Sequence, residues 1–375
     1  MARAGLGSNW TCTFANDFDD MKASVYRANW GDEHLVVDDV AKLASAQMPG
    51  QADLAWASFP CQDLSLAGMY AGIGHPSQKE PTRSGTFWPF WGHVRRLEEE
   101  GRGPRIIALE NVYGVLRSQG GNDFKAIASA FSGGNYRFGA LVIDAAQFVP
   151  QSRPRVFVIG VRRDMVVPDG LTAEAPQAAW HPKALREAFE ILTAEAKRKW
   201  IWWNPPVPAA RKLHFKHVVT DHPQGVRWHT QAETEQLLAM MTDLNRAKVE
   251  AAKQTGVRAV GGVYKRTRVE GGERIQRAEV RFDDVAGCLR TPAGGSSRQT
   301  ILVIEGQSVR SRLLAPREAA DLMGLPPSYI LPHRYNDAYH VAGDGVAVPV
   351  VSHLARHIFD PIISLSGGQM SVAAE

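Results

Sequence analysis

Asp53-Leu-Ala-Trp-Ala-Ser-Phe-Pro-Cys-Gln62 is a short apolar run stopped by a proline and followed at once by a thiol. A run of this kind reads as a β-strand. A strand ending in Pro60-Cys61 delivers the sulfur to the rim of a sheet, where a substrate can reach it. Some 50 residues later a second apolar run, Arg105-Ile-Ile-Ala-Leu109, ends in Glu110-Asn111-Val112. A third run, over 156–161, is introduced by Gln151-Ser-Arg153-Pro-Arg155. One thiol, one carboxylate and two guanidiniums at strand ends are the parts for covalent attack on an electron-poor ring.

Around these runs, short apolar stretches alternate with helical patterns through residue 165, which predicts an α/β sheet. Strands are expected over 11–15, 34–37, 53–59, 105–109, 138–143 and 156–161. Helices are expected over 19–30, capped by Asp17 or Asp19, then near 40–46, over 87–99 and over 123–131. Past residue 165 the pattern changes. Pro182, Pro205-Pro206, Pro208 and Trp200-Ile-Trp202-Trp203 come first, then one strong helix over 231–252, the basic run Tyr264-Lys-Arg-Thr-Arg268 and a loop from Arg290 to Arg298. Residues 166–305 are read as a second domain, with the tryptophan cluster as core rather than a stacking platform. The tail, 306–375, resumes helical patterning. A helix over 314–324 has a proline near its start and a glycine at its end, and a buried helix over 345–358 returns to the first domain.

Apolar residues make up 44% of the chain and charged residues 22%, as in ordinary soluble globular proteins. No run approaches ~18 consecutive apolar residues, so no membrane span is expected. Met1-Ala-Arg-Ala-Gly-Leu-Gly7 lacks the apolar centre of a secretory signal. Cys12, Cys61 and Cys288 give neither a disulfide framework nor a Cys-x-x-Cys metal spacing, so no metal is expected. A reducing, cytoplasmic setting suits a free thiolate. The net charge of +4 says little, but residues 181–300 hold 21 Lys and Arg against 13 Asp and Glu. The middle of the chain is therefore the basic part.

The order Cys61, Glu110, Arg155, within Pro-Cys-Gln, Glu-Asn-Val and Gln-Ser-Arg-Pro-Arg, resembles the DNA (cytosine-5)-methyltransferase family. The likeness extends over most of the chain except much of 165–285. It implies a Rossmann-like S-adenosylmethionine-dependent methyltransferase sheet in residues 1–165, a smaller mixed target-recognition domain in 166–305, and C-terminal helices in 306–375. It also implies methyl transfer to a cytosine flipped out of duplex DNA. Cys61 would add at carbon 6 and turn the ring into an enamine. Glu110 would act as general acid toward ring nitrogen 3 and the exocyclic amine, with a raised pKa, while Asn111 fixes the backbone. Arg155 would bond the carbonyl oxygen, and Arg153 a phosphate or the thiolate region. For S-adenosylmethionine, Asp17 would accept from the ribose hydroxyls, Phe18 would stack on adenine, Asp39 and Val40 would read its edge, and Pro60 would lie against the cofactor.

For DNA, the resemblance points to Ser65 and Arg83 in a glycine-rich active-site loop, and to Gln151. It also points to a recognition loop holding Thr291, Gly294, Gly295 and Arg298, with Lys265, Arg266 and Arg268 as further contacts. Double-stranded DNA is the expected partner, and the cytoplasmic protein is expected on the nucleoid as a monomer. A cognate restriction endonuclease would share its function without a stable complex.

Two departures stand out. The family opens with a strand ending in Phe-x-Gly-x-Gly-Gly, which is absent here, and residues 1–7 look like the helix that follows it. The chain is therefore expected to begin after that strand, through a misassigned start or a truncated gene. Two apolar edges would then lie unpaired in the middle of the sheet. The second departure is Gly343-Asp344-Gly345-Val346, where the family has Asn in place of Asp. The alternative function is a catalytically impaired DNA-binding remnant lacking the cofactor loop. Transfer to RNA is a third reading. A nicotinamide dehydrogenase is not supported, because no Gly-x-Gly-x-x-Gly follows a strand.

Overall fold

A computed structural model describes residues 1–60, 72–74, 83–291, 298–366 and 371–374. The chain divides into two compact units: Met1–Asp144 with Pro154–Pro208 and Val350–Glu375, and Ala145–Arg153 with Ala209–Pro349.

In the first unit the chain runs α1 (Ala2–Leu6), β1 (Thr11–Asp17), α2 (Asp20–Trp30), β2 (Leu35–Val37), β3 (Leu54–Ala57), α3 (Phe87–Glu99), β4 (Ile106–Val112), α4 (Asn122–Gly133), β5 (Tyr136–Asp144) and β6 (Pro154–Arg162). The local reasons are ordinary ones. Asp19 caps α2 by accepting from the Lys22 N–H at 3.0 Å, and Gly31 at φ 76° ends it. β4 is buried through Asn111, the continuous burial of a strand covered on both faces. Strand order is β2, β1, the C-terminal strand Ser371–Ala374, β3, β4, β6, β5. Pairing is parallel from β2 to β4, and β6 runs antiparallel to both β4 and β5.

The expected open edges in the middle of the sheet are not found. Ser371–Ala374 lies parallel between β1 and β3, pairing Thr11 with Ser371, Cys12 with Val372, Leu54 with Val372 and Trp56 with Ala374. Four residues from the other end of the sequence thus satisfy backbone groups of both neighbours. Nor does a helix form near 40–46. The segment makes two 3₁₀ turns, Val40–Lys42 and Ser45–Gln47, because side chains from α3 and beyond take up its carbonyls.

The chain then adds a two-stranded ribbon, β7 (Thr172–Ala173) with β8 (Trp202–Trp203), and the helices α5 (Lys183–Glu190) and α6 (Ala194–Arg198). The tryptophan cluster is core, as expected: Trp203 is fully buried, and Trp200 packs on Phe124, Phe138 and Phe189. Gly139 permits this, since a Cβ there would stand 1.8 Å from the Ile201 carbonyl oxygen. Residues 163–208 therefore belong with the sheet, whereas the change of pattern past residue 165 predicts that 166–208 lie in the second unit.

The second unit carries α7 (Phe215–Val218), α8 (Gln231–Ala239), α9 (Asp243–Gln254) and an antiparallel sheet of order β10, β9, β11, β12. Its strands are β9 (Ala259–Glu270), β10 (Glu273–Arg281), β11 (Thr300–Glu305) and β12 (Ser308–Leu313). α10 (Pro316–Asp321) and α11 (Tyr335–Asp344) follow. Residues 306–349 thus fall here rather than with the first unit. The single helix expected over 231–252 is two, because the Met240 carbonyl leaves the helix to accept from the Ala278 N–H at 3.1 Å. In the core of this unit Arg312 makes a bidentate pair with Glu318, at 2.7 and 2.6 Å, both side chains being buried.

The helical run from Tyr335 to Leu365 is long and apolar enough to cross a bilayer by length and composition, but 67% of its apolar window is buried in the protein. That is the behaviour of a core helix.

Candidate active site

β4 and β6 pair antiparallel with Val112 opposite Arg155 and Glu110 opposite Phe157. Alternation along each strand puts Glu110 and Arg155 on one face as diagonal neighbours. Arg155 Nε lies 3.0 Å from Glu110 Oε1, and both side chains are largely buried. Beside them on β4, Asn111 donates from Nδ2 to the Phe59 carbonyl at 3.0 Å and accepts the Val112 N–H on Oδ1 at 2.8 Å. Asn111 thereby holds the backbone one residue before Pro60. Cys61 and Ser65 lie outside the described residues, and of Arg83 only the backbone, at the start of a 3₁₀ turn, is described.

Asp17 and Phe18 stand at the carboxyl end of β1, where an open α/β sheet binds its ligands. Burial pushes the Asp17 carboxyl above its usual range, partly opposed by the Asp19 N–H that donates to it and by Lys22. Phe18 is 69% exposed, an apolar ring turned to solvent at a strand end. Asp39 is exposed and caps its 3₁₀ turn through the Ala41 N–H at 2.9 Å. Asn16 was not singled out in the sequence. Its Nδ2 donates to the Val36 and Asp38 carbonyls at 2.9 and 2.8 Å, joining β1 to the turn that carries Asp39. An Asn one residue before the strand-end Asp was the available signal. An exposed ring beside a partly buried carboxyl, with a second carboxyl on the neighbouring turn, suits an adenosine: one face to stack on and acceptors for ribose hydroxyls and a base edge.

Gln151, expected at DNA, and Arg153, expected at a phosphate or the thiolate region, both sit in the core of the second unit. Gln151 is fully buried in the second unit, donating to the Leu322 carbonyl at 2.8 Å and accepting the Leu289 N–H at 3.2 Å, so it is a core crosslink and not a DNA contact. Arg153 is 2% exposed and donates to the carbonyls of Leu289, Gly343 and Gly345 at 3.1, 2.7 and 2.7 Å. A phosphate contact does not fit that burial, and the alternative partner, the Cys61 thiolate, lies outside the described residues. The Gly343–Gly345 segment that holds Arg153 is the one carrying the Asp344 departure, and Asp344 pairs with His340 at 3.0 Å.

Of the expected recognition loop, Gly294 and Gly295 lie outside the described residues, while Thr291 and Arg298 flank it. Thr291 packs tightly on α11, where a Cβ at Gly343 would come within 2.9 Å of the Thr291 nitrogen. Arg298 stacks over the Tyr335 ring at 5.9 Å. Arg266 and Arg268 both pair with Glu279 across β9 and β10, which leaves them less charge to offer a phosphate. Among the described residues no group of three metal-ligating side chains occurs.

The solved structures this chain resembles share its fold. The Entamoeba histolytica methyltransferase EhMeth superposes with a TM-score of 0.56 at 14% identity, covering 95% of this chain and 94% of that one. The S. pombe Dnmt2 methyltransferase gives 0.52 at 14% identity, over 94% and 91%. In sequence, the type II methyltransferase M.HhaI of Haemophilus parahaemolyticus is 25% identical over 92% of this chain and 87% of its own length. The type II methyltransferase M.HpaII of Haemophilus parainfluenzae is also 25% identical, over 97% and 87%. The model of the C-5 cytosine-specific DNA methylase family matches residues 2–360. With that match across nearly the whole α/β methyltransferase fold and its second, antiparallel sheet, this chain belongs to the C-5 cytosine-specific DNA methylase family.

Proposed function

We propose that this chain transfers a methyl group from S-adenosylmethionine to carbon 5 of a cytosine flipped out of duplex DNA, through a transient bond from Cys61 to carbon 6. The observation that carries the reading is the buried pair of Glu110 and Arg155 on adjoining strands, next to the strand that leads into Pro60. A carboxyl and a guanidinium fixed on one face can grip a pyrimidine edge while excluding water. Glu110, with Oε1 held by Arg155, meets ring nitrogen 3 and the exocyclic amine through its other oxygen and supplies a proton as the thiolate adds. Arg155 would hydrogen-bond the carbonyl oxygen. The enamine so formed is nucleophilic at carbon 5 and takes the methyl group there; loss of the carbon 5 proton to water then expels the Cys61 thiolate and restores the ring double bond, and the proton on nitrogen 3 returns to Glu110.

S-adenosylmethionine, when bound, supplies an electrophilic methyl. Asp17, Phe18, Asp39 and Val40 would hold its adenosine, with Pro60 alongside. Thr291 and Arg298, with Ser65, Arg83, Gly294 and Gly295, remain the candidate DNA contacts. The type II methyltransferases among its relatives favour a role in restriction–modification.

A second reading, DNA binding without turnover, is favoured by one observation: the sheet position between β1 and β3 is filled by the C-terminal strand Ser371–Ala374, which carries no glycine-rich turn. Transfer of a labelled methyl group into duplex DNA separates the two. Incorporation that disappears in Cys61→Ala, with duplex binding retained, supports the first. Duplex binding with no incorporation supports the second. Transfer into tRNA in preference to duplex DNA would contradict both.

A further inference from the structure

Asp39 and Val40 open a segment with little regular structure. Between β2 and β3 the chain makes only the two 3₁₀ turns. The segment borders a small, largely apolar cavity of about 70 Å³, with Val40, Leu43 and Met48 on its own side and Phe14, Trp56 and Val94 among the walls opposite. A segment next to a void lacks the dispersion contacts that fix a packed loop on all sides. Its position then depends on polar ties.

Two side chains supply them. His93, on the buried face of α3 and 8% exposed, places Nε2 2.8 Å from the Val40 carbonyl oxygen. A carbonyl only accepts, so Nε2 carries the proton. His93 Nδ1 is buried with no hydrogen-bond partner among the described residues, so the Val40 bond alone sets the tautomer. Arg102, just beyond α3, donates to the carbonyls of Met48, Gly50 and Ser45 at 2.5, 3.0 and 2.8 Å. Its Nε rests on Glu100 at 2.7 Å, and Glu100 also accepts from the Ser45 hydroxyl at 2.6 Å. The His93 and Arg102 ties all run to main-chain carbonyls of the segment, so these two residues hold its path independently of its side chains.

We infer that His93 and Arg102 are positioning residues for cofactor binding: His93 holds the Asp39–Val40 turn at the near end of the segment and Arg102 anchors the far end at Ser45, Met48 and Gly50, so that the turn presents its edge to adenine. The inference rests on the cofactor reading of Asp39 and Val40 given above. The ties themselves do not.

The test uses the full chain as it stands, with His93→Leu and His93→Gln, and two measurements. The first is hydrogen exchange at the Ala41 and Lys42 amides without cofactor, both of which are held by Asp39 in the turn. The second is S-adenosylmethionine affinity by calorimetry. His93→Leu is expected to speed that exchange and to weaken affinity roughly tenfold, the equivalent of one lost hydrogen bond. His93→Gln, whose amide N–H has similar reach, is expected to recover both. Faster exchange with unchanged affinity overturns the inference alone. Unchanged exchange removes the tie. An unsubstituted chain with no affinity at all overturns the inference together with the cofactor reading beneath it.

Discussion

Arg155 Nε and Glu110 Oε1 lie 3.0 Å apart, diagonally across β4 and β6. Strand alternation alone puts them on one face, although 45 residues separate them in sequence. The pair gives the candidate site a fixed carboxyl before any substrate arrives. Glu110→Gln keeps the shape and removes the acid. Single-turnover methyl transfer is expected to slow by ~10²–10⁴, the range for losing a general acid. Turnover at the unsubstituted rate would exclude that role.

Arg155→Leu strands the Glu110 carboxylate in a buried setting. Removing one partner of such a pair costs ~3–5 kcal/mol, whereas replacing both with apolar residues is often neutral. Denaturant unfolding should show Arg155→Leu well below the double variant Arg155→Leu with Glu110→Leu. Equal stabilities would mean the pair is solvated.

The same reasoning applies to Arg312 and Glu318 in the second unit. Glu318 also accepts the Thr220 and Ala315 N–H groups, both at 2.8 Å, so it serves four donors in all. Glu318→Ala is expected to cost at least as much as Arg155→Leu, measured by urea midpoint. A change under ~1 kcal/mol would place the pair among surface bridges.

Two histidines set a pH limit on stability. Burial pushes both His181 and His353 down to about 4, and positive charge on His357 and Arg356 pushes His353 the same way. Their folded values lie below the ordinary histidine value, so the unfolded chain takes up protons first as pH falls. Their contribution to stability is complete above about pH 6.5, the unfolded value, and is lost progressively toward pH 4. Unfolding free energy measured from pH 7 to 4 should decline, and His181→Phe should flatten the decline. A profile indifferent to that substitution would contradict the assignment.

Deleting residues 367–375 removes the strand between β1 and β3. Amides of β1 that pair with it should exchange faster, and Tm should drop. Exchange at Cys12 and Phe14 as slow as in the full chain would show that the sheet closes without it.

Much of the sheet could be read in the sequence because the strands feeding the site are continuous apolar runs with polar stops, and α3 begins and ends where its pattern does. Glu110 and Arg155 come together as the motifs imply. What could not be read depends on distant partners. Gln151 and Arg153 look like a polar turn until Leu322, Leu289 and the Gly343–Gly345 carbonyls are folded against them. The helical pattern at 40–46 yields to His93 and Arg102, which take its carbonyls from outside. The pattern at 231–252 breaks where Ala278 takes the Met240 carbonyl. Trp200 to Trp203 join the first unit because Gly139 lets their backbone approach, a steric allowance that no periodicity shows.

The central claim is that the Cys61 sulfur bonds to a pyrimidine taken out of the duplex. Duplex DNA of mixed sequence carrying 5-fluorocytosine, incubated with the chain and S-adenosylmethionine, tests it most directly, because fluorine at carbon 5 cannot leave as a proton does. A denaturation-resistant protein–DNA adduct whose mass maps to the peptide containing Cys61, and which is lost in Cys61→Ala, is the predicted result. Methyl transfer into ordinary cytosine with no such adduct, or an adduct that survives Cys61→Ala, would contradict it.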